Sequence, residues 1–259
     1  QFLAYLHNAE DQLRGEAATL PFFSKGQFTN PMVLRVPGLA YQKGFGGHFH
    51  NDNSLTVFRD IPGIILAVPS NGVDAVKMLR TSVKEAYKNG RVIIFVEPIA
   101  LYMTKDLHKP KDGEWLFTYP ELESEIPLGE FSVHGKSEIL TIITYGNGFY
   151  LSLQARKEIE KKTKKKIKVI DLRWLAPINF KRLLSNIEDC KNILIVDECR
   201  KTGCHGEGIL AELLSRLNGK SKIELHAAKD SFIPLGISAT STLPSKKSIA
   251  QKAIDLING

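Results

Sequence analysis

The residues best equipped for chemistry stand together in Gly46-Gly47-His48-Phe49-His50-Asn51-Asp52-Asn53. In an extended segment, residues at i, i+2 and i+4 share a face, which would aim His48, His50 and Asp52 the same way. That spacing is close to the His-x-His-x-Asp-His pattern of metallohydrolases, whose zinc or iron takes imidazole and carboxylate ligands at about 2.0–2.2 Å. The pattern is incomplete here, because Asn53 stands in the last place and an amide is a poor ligand for such metals. His7, His108, His134, His205 and His226 are scattered along the chain. Two other readings stay open. The stretch closes a strand or turn after Gly46-Gly47, or one imidazole serves as an acid and base near neutral pH.

Other candidates are weaker. Lys43-Gly44-Phe45-Gly46-Gly47 lacks the spacing and the Lys-Ser/Thr of a phosphate-binding loop, and reads as a turn that permits close backbone approach. Cys199, Cys204 and His205 have no second ligand pair with which to complete a zinc site. Gly203, Gly206 and Gly208 read as a tight loop opening a helix. Glu198 follows an apolar strand, at the carboxyl edge of a sheet where acidic groups often face a site. Arg35, near the end of another strand, suits either anion guidance or a salt bridge.

These residues must be positioned by alternating short Val/Ile-rich runs and longer segments of helical period, the pattern of a mostly parallel sheet covered by helices. The strand candidates are 32–36, 64–68, 92–96, 139–145, 167–172, 193–196 and 223–227, most of them apolar on both faces as buried parallel strands are. Between the second and third, Val73, Val76, Leu79 and Val83 fall on one helical stripe, capped by Ser70 or Asn71 and ended by Asn89-Gly90. Residues 149–163, 204–217 and 245–257 read as further helices. The pattern lapses over residues 104–131, rich in Pro, Gly and charge, which marks a linker between an α/β domain at 1–103 and another at 132–259.

With 259 residues, 43% hydrophobic and 24% charged, the chain can bury one large core or two ordinary ones. Net charge is +7, but much of the excess sits in the lysine-rich run 158–168. That run reads as a solvated helix end rather than a nucleic-acid groove, since no aromatic residues interleave with the lysines. Three cysteines form no disulfide framework, which fits a reducing, cytoplasmic setting. The longest apolar run, around 92–103, is broken by Glu97-Pro98 and is too short to span a bilayer. The chain opens at Gln1, already inside an apolar pattern, and we expect it to be part of something longer.

Taken in order, several segments resemble the β subunit of the thiamine-diphosphate-dependent 2-oxoacid dehydrogenases, the decarboxylating component of those complexes, over nearly the whole chain. Gln1-Phe2-x-x-Tyr5 followed by Asp11-Gln12 is similar to that family's QFxDYxxPAxDQ stretch, with Ala4 and Asn8 in place of its Asp and Pro. His50 falls where the family has the histidine of its HSQ turn, at the same distance before Pro62-Gly63. The runs DIPGIILAVPSNGVDA, VIIFVEPIALY, IDLRWLAPI, ILIVDE and KDSFIP complete the match, IDLRWLAPI contributing Asp171, Arg173 and Pro177. Segment 85–91 lacks a match to the potassium-binding loop of some members, so no metal is carried over.

The resemblance implies a partial transketolase-like pyrimidine-binding domain followed by a transketolase-like C-terminal domain. It implies that Gln1 and Tyr5 line the aminopyrimidine pocket of thiamine diphosphate, and that His50 is the acid/base residue over the reacting carbon. The glutamate that protonates the aminopyrimidine and the Gly-Asp-Gly…Asn motif that holds the diphosphate through magnesium are not in this sequence. An α-like subunit or domain would supply the latter. The implied reaction is oxidative decarboxylation of pyruvate or a branched-chain 2-oxoacid, with acyl transfer to a lipoyl-bearing acyltransferase. The C-terminal domain would build a homo-oligomer. The alternatives are a transketolase-like or acetoin-cleaving thiamine enzyme and, from another class, a metal-dependent hydrolase using His48, His50 and Asp52. Stoichiometric zinc or iron in the purified chain, lost on His48→Ala, would favour hydrolysis.

Overall fold

The computed structural model describes residues 2–42 and 48–259. Short helical turns open the chain: α1 (Leu3–Leu6), α2 (Glu10–Gln12) and α3 (Leu20–Phe23). They lead into β1 (Met32–Gly38), α4 (Thr56–Arg59), β2 (Ile65–Ala67), α5 (Gly72–Asn89) and β3 (Val92–Pro98). Then come β4 (Ser132–His134), β5 (Leu140–Thr144), α6 (Gly146–Thr163), β6 (Lys168–Asp171), β7 (Trp174–Ala176) and α7 (Phe180–Ile187). The chain continues through β8 (Asn192–Arg200), α8 (His205–Leu217), β9 (Lys222–Ala228) and α9 (Lys246–Asn258).

Two mostly parallel sheets result, in the orders β1-β3-β2-β7 and β4-β6-β5-β8-β9, which bears out the α/β class expected from the alternating pattern. All seven expected strands form. The two unexpected ones, β4 and β7, are three-residue strands that pair antiparallel at sheet edges. Three residues are too few to show a period of two. The eight-residue α7 was likewise not anticipated, although Asn179 caps it by accepting from Arg182 N.

β7 has the largest consequence. Directly after β6, a central strand of the second sheet, the chain leaves that sheet and pairs with β2 of the first, Leu66 opposite Ala176. Arg173, at the crossing, adopts φ +62° and sends its guanidinium onto Asp74 of α5 through two 2.8 Å hydrogen bonds. One apolar core then runs through both sheets, from Leu66 and Val96 to Ile143 and Ile195.

α5 starts and stops as expected, Asn71 accepting from Asp74 N and Gly90 closing the helix at φ +63°. Its inward face is different. Asp74, Met78, Thr81, Ser82 and Ala86 are buried, while Val83 is 55% exposed and Val76 and Leu79 line a groove with Trp115 and Phe117. The sheet-facing side uses small residues because the helix packs closely, and its hydroxyls are satisfied by Met78 O and Ile126 O. The apolar stripe thus lies at the flank of the buried face, with Leu79 packed against the core and Val83 in solvent.

Residues 104–131 carry neither helix nor strand. Their order comes from side chains: the Asp112 carboxylate accepts from the backbone N–H groups of Leu107, His108, Lys109 and Glu114, and Trp115, Ile126 and Phe131 are buried in three different apolar clusters. The lysine-rich run is the solvated end of α6, with Lys161 and Lys162 in its last turn.

Asp74 and Arg173 are largely buried together, so removing one partner strands the other's charge. Asp74→Ala is expected to cost about 3–5 kcal/mol in urea unfolding, and the double change Asp74→Ala/Arg173→Met less than that. Equal costs for the single and double variants would contradict this account.

Candidate functional site

Sharing a face requires extended backbone, and residues 48–50 instead form a turn. The extended backbone on which the metallohydrolase alternative for His48, His50 and Asp52 relied is therefore absent. Asp52 is engaged locally: Oδ1 accepts from Ser54 Oγ at 2.7 Å, and Oδ2 lies 3.5 Å from His7 Nε2. Burial works to raise the Asp52 pKa, but His7 and Ser54 outweigh it and hold the carboxyl below its ordinary value. The His48 ring tilts against Phe49 at 4.0 Å. No group of three or more His, Cys, Asp or Glu residues suited to a metal ion occurs among the described residues.

His50 lies in an aromatic cluster. Its ring meets Phe2 edge-on at 4.5 Å and Tyr5 at 6.3 Å, and Tyr5 stacks on Phe49 at 5.6 Å. Tyr5 and Phe49 remain 37% and 48% exposed. The structure thus brings Tyr5 and His50 together across 45 residues of chain, on α1 and on the turn. Gln1 lies outside the described residues, as does the stretch 43–47.

The turn is tied to the second sheet. Gln42 donates to the carbonyls of both Leu39 and His50. Glu198, near the end of β8, accepts from Ala40 N at 3.1 Å and from Asn147 Nδ2 at 3.0 and 3.1 Å. Its own carbonyl accepts from Asn53 Nδ2 at 2.6 Å, and Arg200 reaches Asn53 Oδ1 and Ser54 Oγ. Tyr41 OH donates to Pro244 O at 2.8 Å. One turn further on, Arg59 of α4 donates to the carbonyls of Gly203 and Cys204, and it fits because a Cβ on Gly208 would overlap its guanidinium.

The sequence marks Glu198 at a strand end and Asn53 only as the last place of the histidine pattern, and it gives no sign of a role for Asn147 or Arg200. The contacts of Asn53, Asn147 and Arg200 carry no local signal, since their partners are more than 50 residues away. Arg35, for which anion guidance and a salt bridge were both open, pairs with Glu97 at 2.5 Å.

Burial dominates the electrostatics here. It raises the Glu198 pKa to about 7, against hydrogen bonds from Asn147 and Ala40 that oppose the shift. Asp171 is pushed up to about 7 by burial and by the neighbouring Asp74 carboxylate, and neither of its oxygens makes a well-formed hydrogen bond. Beside Glu198, Asp197 accepts from Tyr145 OH, Cys199 N and Gly206 N. Burial also lowers His205 to about 4 and raises the thiols of Cys199 and Cys204, so this trio is a neutral part of the core.

Comparison with known proteins agrees with this architecture. Residues 129–236 match the family model for the transketolase C-terminal domain. The chain is 28% identical to the pyruvate dehydrogenase E1 component subunit beta of Staphylococcus epidermidis, across 98% of this chain and 73% of that protein. It shows the same identity and coverage with the subunit of that name from Staphylococcus aureus. A solved structure titled split gene transketolase, inactive beta4 tetramer, superposes with a TM-score of 0.69 over 98% of this chain at 16% identity, which speaks to the fold. These findings bear out the resemblance to transketolase-like chains of the E1 β type.

Asp171 and Glu198 set a pH dependence. The unfolded chain releases these protons near 3.8 and 4.5, and the folded chain keeps them until about 7. Within that window the native state binds more protons, so stability falls as pH rises and levels off above about 7. Asp171→Asn is expected to shrink the drop in Tm between about pH 5 and pH 8. An undiminished drop in calorimetry would contradict the assignment.

Proposed function

We propose that this chain is the β-like part of a 2-oxoacid dehydrogenase decarboxylating component dependent on thiamine diphosphate. The observation that carries the reading is the cluster of Tyr5, Phe49 and His50, which gathers at one exposed place two residues that the family resemblance separately assigns to the site. The similarity to E1 β subunits along 98% of the chain supports it.

The residues present fit the ring portion of the cofactor. A stacked, half-exposed Tyr5–Phe49 pair offers an aromatic face to a flat heterocycle, with an imidazole beside it. Thiamine diphosphate, when bound, supplies the nucleophilic carbon and the electron sink for decarboxylation. Tyr5 would pack against the aminopyrimidine; Gln1, which the resemblance assigns to the same pocket, lies outside the described residues. His50 hydrogen-bonds the substrate oxygen or carboxylate and delivers a proton during acyl transfer to a lipoyl group on an acyltransferase partner. A positioned acid of this kind contributes on the order of 10²–10⁴-fold.

An α-like subunit or domain holds the diphosphate and its magnesium. The chain divides into a pyrimidine-binding part at 1–103, a linker at 104–131 and a C-terminal domain at 132–259, the last forming the homo-oligomer. No described helix is long and apolar enough to cross a membrane. The three buried free cysteines accord with a reducing, cytoplasmic setting.

In the enzyme assembled with its α-like partner, His50→Ala is expected to lower lipoyl acylation roughly 10²-fold or more while thiamine diphosphate affinity stays near wild type. Unchanged turnover would overturn the role of His50. The chain alone, given thiamine diphosphate and magnesium, is expected not to decarboxylate 2-oxoacids, and turnover under those conditions would refute the need for a partner.

A further inference from the structure

The turn bearing His50 is fastened to the second sheet. Its two flanks, Leu39-Ala40 on one side and Asn53-Ser54 on the other, are both fastened to the end of β8 in the second sheet. Glu198 stands between them, its carboxylate on Ala40 N and its carbonyl on Asn53 Nδ2. Asn147, in the first turn of α6, closes the same carboxylate from the other side at 3.0 Å. Gln42 completes the link to the turn by bonding the carbonyls of Leu39 and His50.

A fully buried carboxylate is a costly choice for a packing role. An apolar side chain of similar volume would fill the space with no desolvation penalty, whereas Glu198 forgoes water entirely. What an apolar residue could not do is receive two N–H donors from segments 107 residues apart, Ala40 and Asn147, and so fix one against the other. Arg200, two positions further along the strand, donates to Asn53 Oδ1 and Ser54 Oγ and so ties that flank of the turn to β8.

We propose that Glu198, supported by Arg200, is a positioning residue that sets the orientation of the His50 imidazole from the second sheet. The C-terminal part of the chain then takes a direct hand in the site without touching substrate. The inference is structural in its first part, and its effect on turnover rests on the reading of His50 given above.

The test uses imidazole NMR of the full chain, with the His50 signals assigned by their loss in His50→Ala. Glu198→Ala and, separately, Arg200→Met are expected to move the His50 signals and leave those of His108 and His134 in place. Glu198→Gln, which keeps one acceptor oxygen, is expected to restore them part of the way. Arg200 is only partly buried, so its variant keeps the test open if Glu198→Ala fails to fold. His50 signals unmoved in the folded variants would overturn the proposal.

In the assembled enzyme, Glu198→Gln is expected to lower kcat for lipoyl acylation with little change in KM for the 2-oxoacid, since misplacing a catalytic group by about 1 Å costs up to roughly 10²-fold. Shifted His50 signals with unaltered kcat would uphold the positioning role and overturn the catalytic reading of His50 instead.

Discussion

Two adjacent carboxylates at the end of β8 are the constraint around which the rest of the chain is arranged. Asp197 turns to Tyr145, the Cys199 amide and the first turn of α8. Glu198 takes the opposite side and receives Ala40 and Asn147. Successive side chains of a strand point to opposite faces, so one short stretch of backbone can hold the helix that follows it and grip the segment beyond β1. Burying both groups is tolerable only because each is met by oriented N–H and O–H donors.

The second tie between the sheets is built on the same logic with opposite charges. β6 and β7 are separated by only Leu172 and Arg173, yet they belong to different sheets. Arg173 takes the left-handed conformation that this abrupt change requires, and Asp74 accepts its guanidinium in a two-bond fork. Such planar pairing suits arginine, and lysine would not reproduce it. Asp74 is itself held by Asn71 at the start of α5, so a helix cap of one unit and a strand crossing of the other share a single carboxylate.

Against these rigid ties stands an outer surface of apolar groups. Tyr5 and Phe49 are half-exposed beside His50, and Val83 and Tyr87 project from α5. The aromatic pair leaves the surroundings of His50 open to solvent. In α5 the apolar spacing marks the flank of the buried face, where Leu79 packs on the core and Val83 does not.

Much of the architecture could be read from residue order. Seven strands and four long helices followed from runs of Val and Ile, from caps such as Asn71 and from stops such as Gly90, because these are local signals carried by neighbouring residues. Family resemblance in the same segments pointed to Tyr5 and His50. Sequence by itself thus determined the α/β class, the helix limits and the names of the candidate site residues. Tertiary structure alone decided that 48–50 is a turn, that Asp52 belongs to Ser54 and His7, and that β7 crosses between sheets. It alone joined Glu198 to Ala40 across 158 residues. The physical reason is the same in each case: these features depend on hydrogen bonds and ion pairs whose partners are brought together by chain packing, and no periodicity or spacing along the chain encodes them.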